Sequence, residues 1–261
     1  MKIMGILNVT PDSFSDGVDS ASRSAHGDFV TRGLALLAEG ADILDVGGES
    51  TRPGATMITE SVERSRVTPV LRELRGRSPH AILSIDTRHA SVAAAAIEAG
   101  ANFVNDVSAG ADPDMFDVVA RAGVPIVLMH MRGNPDTMQS LARYRDVCTE
   151  VWEELESRDR VAAEAGITDR WLDPGIGFAK DTEQNLEILR DLPKRRRHRI
   201  LLGASRKAFI GRITGQSVAA ERIEGSLAVA LAAYDAGVGI LRVHDVAATR
   251  RALAVWSGIR P

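Results

Sequence analysis

The chain has 261 residues, 44% of them apolar, and a formal net charge of −3. That length suits one large domain with a substantial core, and so small a charge gives no global pull on nucleic acid. One cysteine, Cys148, excludes a disulfide framework, and no apolar run is long enough to span a membrane.

Short apolar runs alternate with longer helical patterns, as parallel βαβ units require. The first run, Lys2–Leu7, ends at Asn8; a polar loop, VTPDSFSDGVDSAS, and a helix around Asp28–Glu39 follow. The second, Ile43–Val46, leads into GGESTRPGA and a helix over Thr59–Arg75. The third, Ala81–Ile85, ends at Asp86 before a helix over Ala90–Ala99. The fourth, Phe103–Val104, ends at Asn105 and Asp106, with a helix near Asp114–Ala122. The fifth, Pro125–Met129, meets His130, the loop MRGNPDTMQ and a long helix over Arg143–Ala165. The sixth is the strand around Trp171, opening into DPGIGFAK and a helix at Thr182–Leu189. The seventh, Ile200–Gly203, precedes ASRKAFIG and a helix over Arg222–Ala236. The eighth, Ile240–Val243, carries Arg242, with His244 next and a last helix over Val246–Trp256.

Eight such units make a closed (β/α)8 TIM barrel, one domain over residues 1–261, the natural reading. A doubly wound sheet is the runner-up, but the first strand is followed by neither GxGxxG nor a P-loop. The one basic run, KRRRHR at 194–199, falls where a helix connects to a strand and reads as a solvated loop. A start without an apolar signal region leads to the expectation of a cytoplasmic protein with no membrane or nucleic-acid partner.

In such barrels chemistry gathers where strands end and loops begin. Those positions hold Asn8, Asp45, Asp86, Asn105, His130, Asp173, Ser205, Arg206, Lys207, Arg242 and His244. Any one of them could cap a turn; so many at one mouth make a polar pocket. Asp86, Asn105, Asp173 and Lys207 offer carboxylates, an amide and an ammonium, a set that suits a flat heterocycle with both donors and acceptors. The plain alternative is a buried ion-pair cluster that only holds the barrel. A Schiff-base lysine fits less well, since Arg206 stands beside Lys207. Arg52, Arg242 and His244 suit phosphate oxygens. Asn8 can give one oxygen to Mg²⁺, and no HxH, HExxH or carboxylate cage offers a tight all-protein metal site. The loop over 8–22, rich in Ser, Asp and Gly, and the loop over 47–55, with two Gly at its start and Pro-Gly later, can close over a reaction.

These residues together resemble the dihydropteroate synthase family of pterin-binding barrels. The likeness rests on MGILNVTPDSFSDG at 4–17, DVGGESTRPGA at 45–55, SIDT at 84–87 and NDVS at 105–108. It continues through LMHMRGNPDTMQ at 128–139, DPGIGFAK at 173–180, GASRKAFIG at 203–211 and RVHDV at 242–246. Val18 departs from the pattern, standing where the first loop usually has a second glycine.

The resemblance implies an enzyme that joins 4-aminobenzoate to (7,8-dihydropterin-6-yl)methyl diphosphate, giving 7,8-dihydropteroate and pyrophosphate. It implies that Asp86, Asn105, Asp173 and Lys207 hold the pterin, with Met129 as its floor and Arg242 stacked over it. Asn8 would bind Mg²⁺, and Arg52, Arg242 and His244 would grip the diphosphate. Phe178, Ser205, Arg206 and Lys207, with Pro53 and Phe14, would form the aminobenzoate slot that sulfonamides imitate, and Thr51 and Asp12 would belong to closing loops. Asp86, Asp173, Lys207 and Arg52 are the catalytic set on this reading, and a homodimer through the last two barrel helices is expected. A methyltransferase acting on methyltetrahydrofolate would share the barrel and pterin pocket but should lack the diphosphate grip. A non-catalytic pterin-binding paralogue is the third reading, and intact Asn8, Arg52 and Lys207 speak against it.

Overall fold

The apolar runs form strands and the helical patterns form helices in a computed structural model that describes residues 1–10, 24–50, 57–134 and 136–259. In chain order the elements are β1 (Lys2–Asn8), α1 (Ser24–Ala38), β2 (Ile43–Gly47), α2 (Glu60–Arg77), β3 (Ile82–Asp86) and α3 (Ala90–Glu98). There follow β4 (Phe103–Asp106), α4 (Met115–Ala122), β5 (Ile126–Met129), α5 (Val147–Glu164), β6 (Arg170–Asp173) and α6 (Thr182–Asp191). The chain continues through β7 (Leu201–Leu202), α7 (Ala208–Thr214), α8 (Ile223–Ala236), β8 (Ile240–Val243) and α9 (Val246–Gly258).

The strands pair in parallel in the order β6-β5-β4-β3-β2-β1-β8-β7. A parallel bridge between Leu172 and Ile200 brings β6 to β7, so the eight-stranded sheet closes on itself. The barrel expected from the sequence is therefore the architecture found.

Period-two alternation divides the strand residues between two environments. Met4, Ile43, Phe103, Val127, Trp171, Leu201 and Ile240 cluster together as the filling of the barrel. Their neighbours Leu44, Val104, Leu128, Leu172, Leu202 and Leu241 belong to the larger cluster against the helices. One further step of two from Ile43, Phe103, Trp171 and Ile240 reaches Asp45, Asn105, Asp173 and Arg242. The pleat that buries the apolar filling thus also points the polar set inward, one layer above it.

Three boundaries differ from the sequence reading. Helix α5 begins at Val147, because Asp146 accepts the Thr149 N–H and caps it there, so 143–146 stay outside the helix. Helix α1 begins at Ser24, four residues before Asp28. A short helix, α7, occupies the end of the ASRKAFIG stretch, which the sequence reading left as loop. The basic run is neutralised locally: Lys194 and Arg195 pair with Asp191, Arg197 with Glu156, and Arg199 with Asp169. Burial, with Asp191 nearby, pushes the Cys148 thiol up to about 11, which leaves little thiolate at neutral pH.

Candidate active site

The centre of the mouth is Arg242. Its Nε lies 2.6 Å from Asp45 Oδ2, and a second guanidinium nitrogen lies 2.6 Å from Asp86 Oδ2. Asn105 donates from Nδ2 to the same Asp45 oxygen at 3.0 Å. Three strands, β2, β3 and β4, are therefore joined to β8 through one guanidinium and one amide. Strand register makes this possible: Gly47 pairs with Asp86, and Asp86 with Asn105.

The charges hold one another in place. Burial works against the Arg242 charge, but Asp45 and Asp86 outweigh it and raise its pKa above the usual value. Burial pushes the Asp86 carboxyl up to about 7, against the opposing pull of Arg242, with Asp45 adding to the rise and Lys207 opposing it. Asp45 Oδ1 is buried with no hydrogen-bond partner among the described residues.

Asp173 ends β6 beside this cluster. A Cβ at Gly203 would lie 3.6 Å from Asp173 Oδ2 and 3.8 Å from Arg242 Cδ, so both side chains crowd the same glycine. Burial raises the Asp173 carboxyl to about 6, while the Gly175 N–H, Lys207 and Arg242 oppose the rise. The loop after it turns on Gly175, at φ 68, whose N–H donates to Asp173 Oδ1 at 2.8 Å.

A buried ammonium fixes that loop. Lys180 Nζ donates to the Gly175 carbonyl at 3.2 Å and the Phe178 carbonyl at 3.0 Å, and lies 3.0 Å from His130 Nδ1. The other ring nitrogen, Nε2, lies 3.0 Å from Glu154 Oε2. Three acceptors around Nζ match the three hydrogens of an ammonium. They make Nδ1 of a neutral His130 the acceptor and Nε2–H the donor to Glu154. Burial pulls Lys180 down to about 7, with Asp173 and Glu154 opposing it. Burial also lowers His130, against its bond to Glu154. The backbone closes the same circuit: the His130 N–H donates to the Asp173 carbonyl at 2.9 Å.

Gly175→Ala tests this circuit. A Cβ there would stand 2.0 Å from the His130 carbonyl oxygen, in a left-handed conformation as well. Strain and overpacking should destabilise the fold by roughly 2–5 kcal/mol, read as a lowered denaturation midpoint. An unchanged midpoint would mean that the turn is not held there.

The seventh and eighth loops meet above β7 and β8. Ser205 Oγ accepts the His244 N–H at 3.2 Å and lies 3.1 Å from His244 Nδ1. In the tautomer in which Ser205 Oγ donates its proton to Nδ1, Nε2–H is the donor of His244. Burial, with Arg206 and Arg242 close by, lowers His244 to about 3, so it acts as a neutral donor. Arg206, at φ 59, is committed to Asp245 through Nε at 2.9 Å and a second nitrogen at 2.5 Å. Lys207 Nζ stands 4.0 Å from the centre of the Phe178 ring, and its stem runs past Gly177. Met129 and Phe178 pack together with Val107, Met138 and Ala179.

The structure thus brings Asp86, Asn105, Asp173, Lys207 and Arg242 to one mouth, with Met129, Phe178, Ser205, Arg206 and His244 around it. Thr51, Arg52 and Pro53, like Asp12 and Phe14, lie outside the described residues. The sequence reading listed Asp45 among the strand ends but gave it no role, and it did not single out Lys180. Asn8 is half-buried at the end of β1, paired with Gly47. Since Asp45 and Asp86 are engaged by Arg242, Asn8 offers a single neutral oxygen. Such a donor suits Mg²⁺, which keeps several waters and takes phosphate oxygens for the rest.

Comparison with known proteins agrees with this geometry. Residues 4–244 match the family described as Pterin binding enzyme. The dihydropteroate synthase of Neisseria meningitidis serogroup B is 44% identical over 99% of this chain and 92% of that protein. A mitochondrial folate synthesis bifunctional protein of Arabidopsis thaliana is also 44% identical, over 94% of this chain, which spans 47% of that longer protein. The structure of Xanthomonas albilineans dihydropteroate synthase with 4-aminobenzoic acid superposes with a TM-score of 0.92 at 43% identity, covering all of this chain and 94% of that one.

Proposed function

We propose a division of labour among the residues of this chain, which belongs to the pterin binding enzyme family and catalyses dihydropteroate synthesis. The reaction condenses 4-aminobenzoate with (7,8-dihydropterin-6-yl)methyl diphosphate, a step of folate biosynthesis that releases pyrophosphate. The convergence of Asp86, Asn105, Asp173 and Lys207 around Arg242 carries the assignment of roles.

Asp86 and Asp173 accept from the ring N–H and amino groups of the pterin, Asn105 does both, and Lys207 donates to a ring carbonyl or nitrogen. Met129 forms the floor, and Arg242 covers the ring with the part of its fork that Asp45 and Asp86 leave free. Cleaving the bond between methylene and diphosphate leaves positive charge on the pterin side, which the two carboxylates stabilise. Arg52, Arg242 and the neutral donor His244 hold the departing pyrophosphate. Mg²⁺, held through Asn8, would supply further positive charge to the leaving group. The aminobenzoate occupies the slot of Phe178, Pro53, Ser205, Arg206 and Lys207, with Thr51 in the closing loop. Its amine is already nucleophilic, so no strong base is needed.

Pyrophosphate release tests the reading. It should require both substrates and Mg²⁺, and folded protein that released none would leave a pterin-binding module instead. The carboxyls also set a pH dependence. With Asp86 at about 7 and Asp173 at about 6, acidification protonates the groups that accept from the pterin. The kcat/KM for the pterin substrate should therefore fall as pH drops from about 7.5 to about 5.5. A flat profile there would remove both carboxyls from the rate-determining interactions.

The same proposal includes a homodimer through α8 and α9, where Val255 is 66% exposed, and residence in the cytoplasm. Among the described residues no helix is long and apolar enough to cross a membrane.

A further inference from the structure

Beside the end of β2, three side chains from separate elements converge. Glu49 follows β2, Glu63 lies in the first turn of α2, and His89 precedes α3. Each offers a ligand atom, and these atoms lie within 4.8 Å of one another. Two features set the group apart from an ordinary acidic patch. Glu63 is only 1% exposed, yet among the described residues its buried Oε2 has no hydrogen-bond partner. Buried His89 Nε2 likewise has none among them. Surface glutamates turn to water; here the fold keeps a carboxylate oxygen of Glu63 and a ring nitrogen of His89 dry, at a cost.

We propose that Glu49, Glu63 and His89 bind a divalent transition-metal ion of the Zn²⁺ class, at a site separate from Asn8. The donor set of one imidazole and two carboxylates is that of a three-ligand zinc site with water in the fourth position. Magnesium, which favours all-oxygen sites, suits it less well. The ring orientation agrees. With Nε2 toward the metal, the proton sits on Nδ1, which faces Glu60 Oε1 at 3.6 Å. A metal-bound histidine commonly turns its other nitrogen to a carboxylate in this way.

Acidic side chains gather there, Glu49, Glu60 and Glu63, and burial, with Glu49 adding to it, pushes the Glu63 carboxyl up to about 8, a cost that a bound cation would relieve. Arg88 contacts Glu49 at 3.2 Å and 3.4 Å. Carboxylate oxygens have lone pairs to spare for a metal beside it. The ligand atoms must close up on binding, because bonds near 2.1 Å put tetrahedral ligands about 3.4 Å apart.

The position gives the site a purpose within the reaction assigned above. Glu49 Oε1 accepts the Ile58 N–H at 3.0 Å, so this carboxylate ties together the two ends of the segment that holds Thr51, Arg52 and Pro53. A metal on Glu49, Glu63 and His89 would pin that base to α2 and to the turn after β3. Glu63 already packs against that base: a Cβ added at Gly48 would lie 3.1 Å from Glu63 Cγ.

Titration of chelator-treated, substrate-free protein with Zn²⁺ alone tests this, by calorimetry, with Co²⁺ as the spectroscopic probe. One equivalent should bind, Co²⁺ should give the visible bands of a low-coordinate site, and Tm should rise. Glu63→Gln and His89→Gln should each weaken binding by about tenfold or more, because each removes one ligand. Asn8→Ala should keep the equivalent. Absence of a stoichiometric site in the parent protein overturns the proposal, as does unchanged binding in both ligand variants. If Glu63→Gln does not fold, His89→Gln, at the half-buried residue that precedes α3, decides alone. None of these readouts depends on turnover, so a failure here leaves the synthase assignment standing.

Discussion

Arg242→Met is expected to destabilise the fold by about 3–5 kcal/mol near pH 8 and to abolish pterin binding. The arginine stem lies in the mouth of the barrel, and methionine keeps much of its packing, so the loss is chiefly electrostatic. Asp45 is fully buried and Asp86 nearly so, and both direct an oxygen at the guanidinium. Without it, two carboxylates face each other in a low-dielectric pocket. Protonation relieves this: Asp86, whose folded-state pKa is already raised to about 7, is raised further once Arg242 no longer opposes the rise. The folded variant then binds more protons than the unfolded chain over that interval, so its stability falls as pH rises. The deficit should be smaller near pH 6 than near pH 8, as read by denaturant melts at each pH. Adding Asp45→Asn should recover part of it, since the pair is coupled. A deficit that is the same at both pH values and is not relieved by Asp45→Asn would mean that Arg242 supports the barrel by packing.

The same cluster illustrates what a linear reading can and cannot reach. Asp86, Asn105 and Asp173 were legible because each follows a short apolar run at the end of a strand. The barrel supplied the rest, since strand ends share one mouth. Asp45 sits between Leu44 and Val46, inside a run that reads as buried strand, and its partner is 197 positions away. No local pattern announces that a charge inside a strand will meet one so distant. Lys180 reads as a loop lysine, and only the folded turn encloses it between two carbonyls and His130. Glu63 belongs to a helix rich in charge, where periodicity marks a solvated face; packing against Gly48 and Val67 buries it instead. Helix α7 escaped notice because seven residues are too few for a helical period to stand out from a loop. The reach of the resemblance is also bounded, because the expectations for Thr51, Arg52 and Pro53 lie outside the described residues.

Asp173→Asn separates binding from folding more cleanly than any other change at the mouth. The carboxyl accepts the Gly175 N–H through Oδ1, and the asparagine oxygen can take over that bond. What replaces Oδ2 is then an NH2 group, which donates where the carboxylate accepted. It would point its hydrogens at the donors of the pterin and at the cations Lys207 and Arg242, which both act on Asp173. Exchanging a charged acceptor for a misdirected donor in a buried site should weaken pterin binding by roughly 2–4 kcal/mol, about 30- to 1,000-fold. Stability should move the other way. The folded-state pKa of Asp173 is raised to about 6, so its charge at neutral pH opposes folding. Its favourable contribution exists at acid pH and is lost as pH rises from about 4 through about 6. Asparagine removes that neutral-pH penalty, and the variant should melt no lower than the parent at pH 7. Titration calorimetry with the pterin substrate and a thermal melt at one pH measure both sides. Parent-like pterin affinity in a variant that melts normally would take Asp173 out of the binding site, and with it the acceptor role that follows from the position at the end of β6.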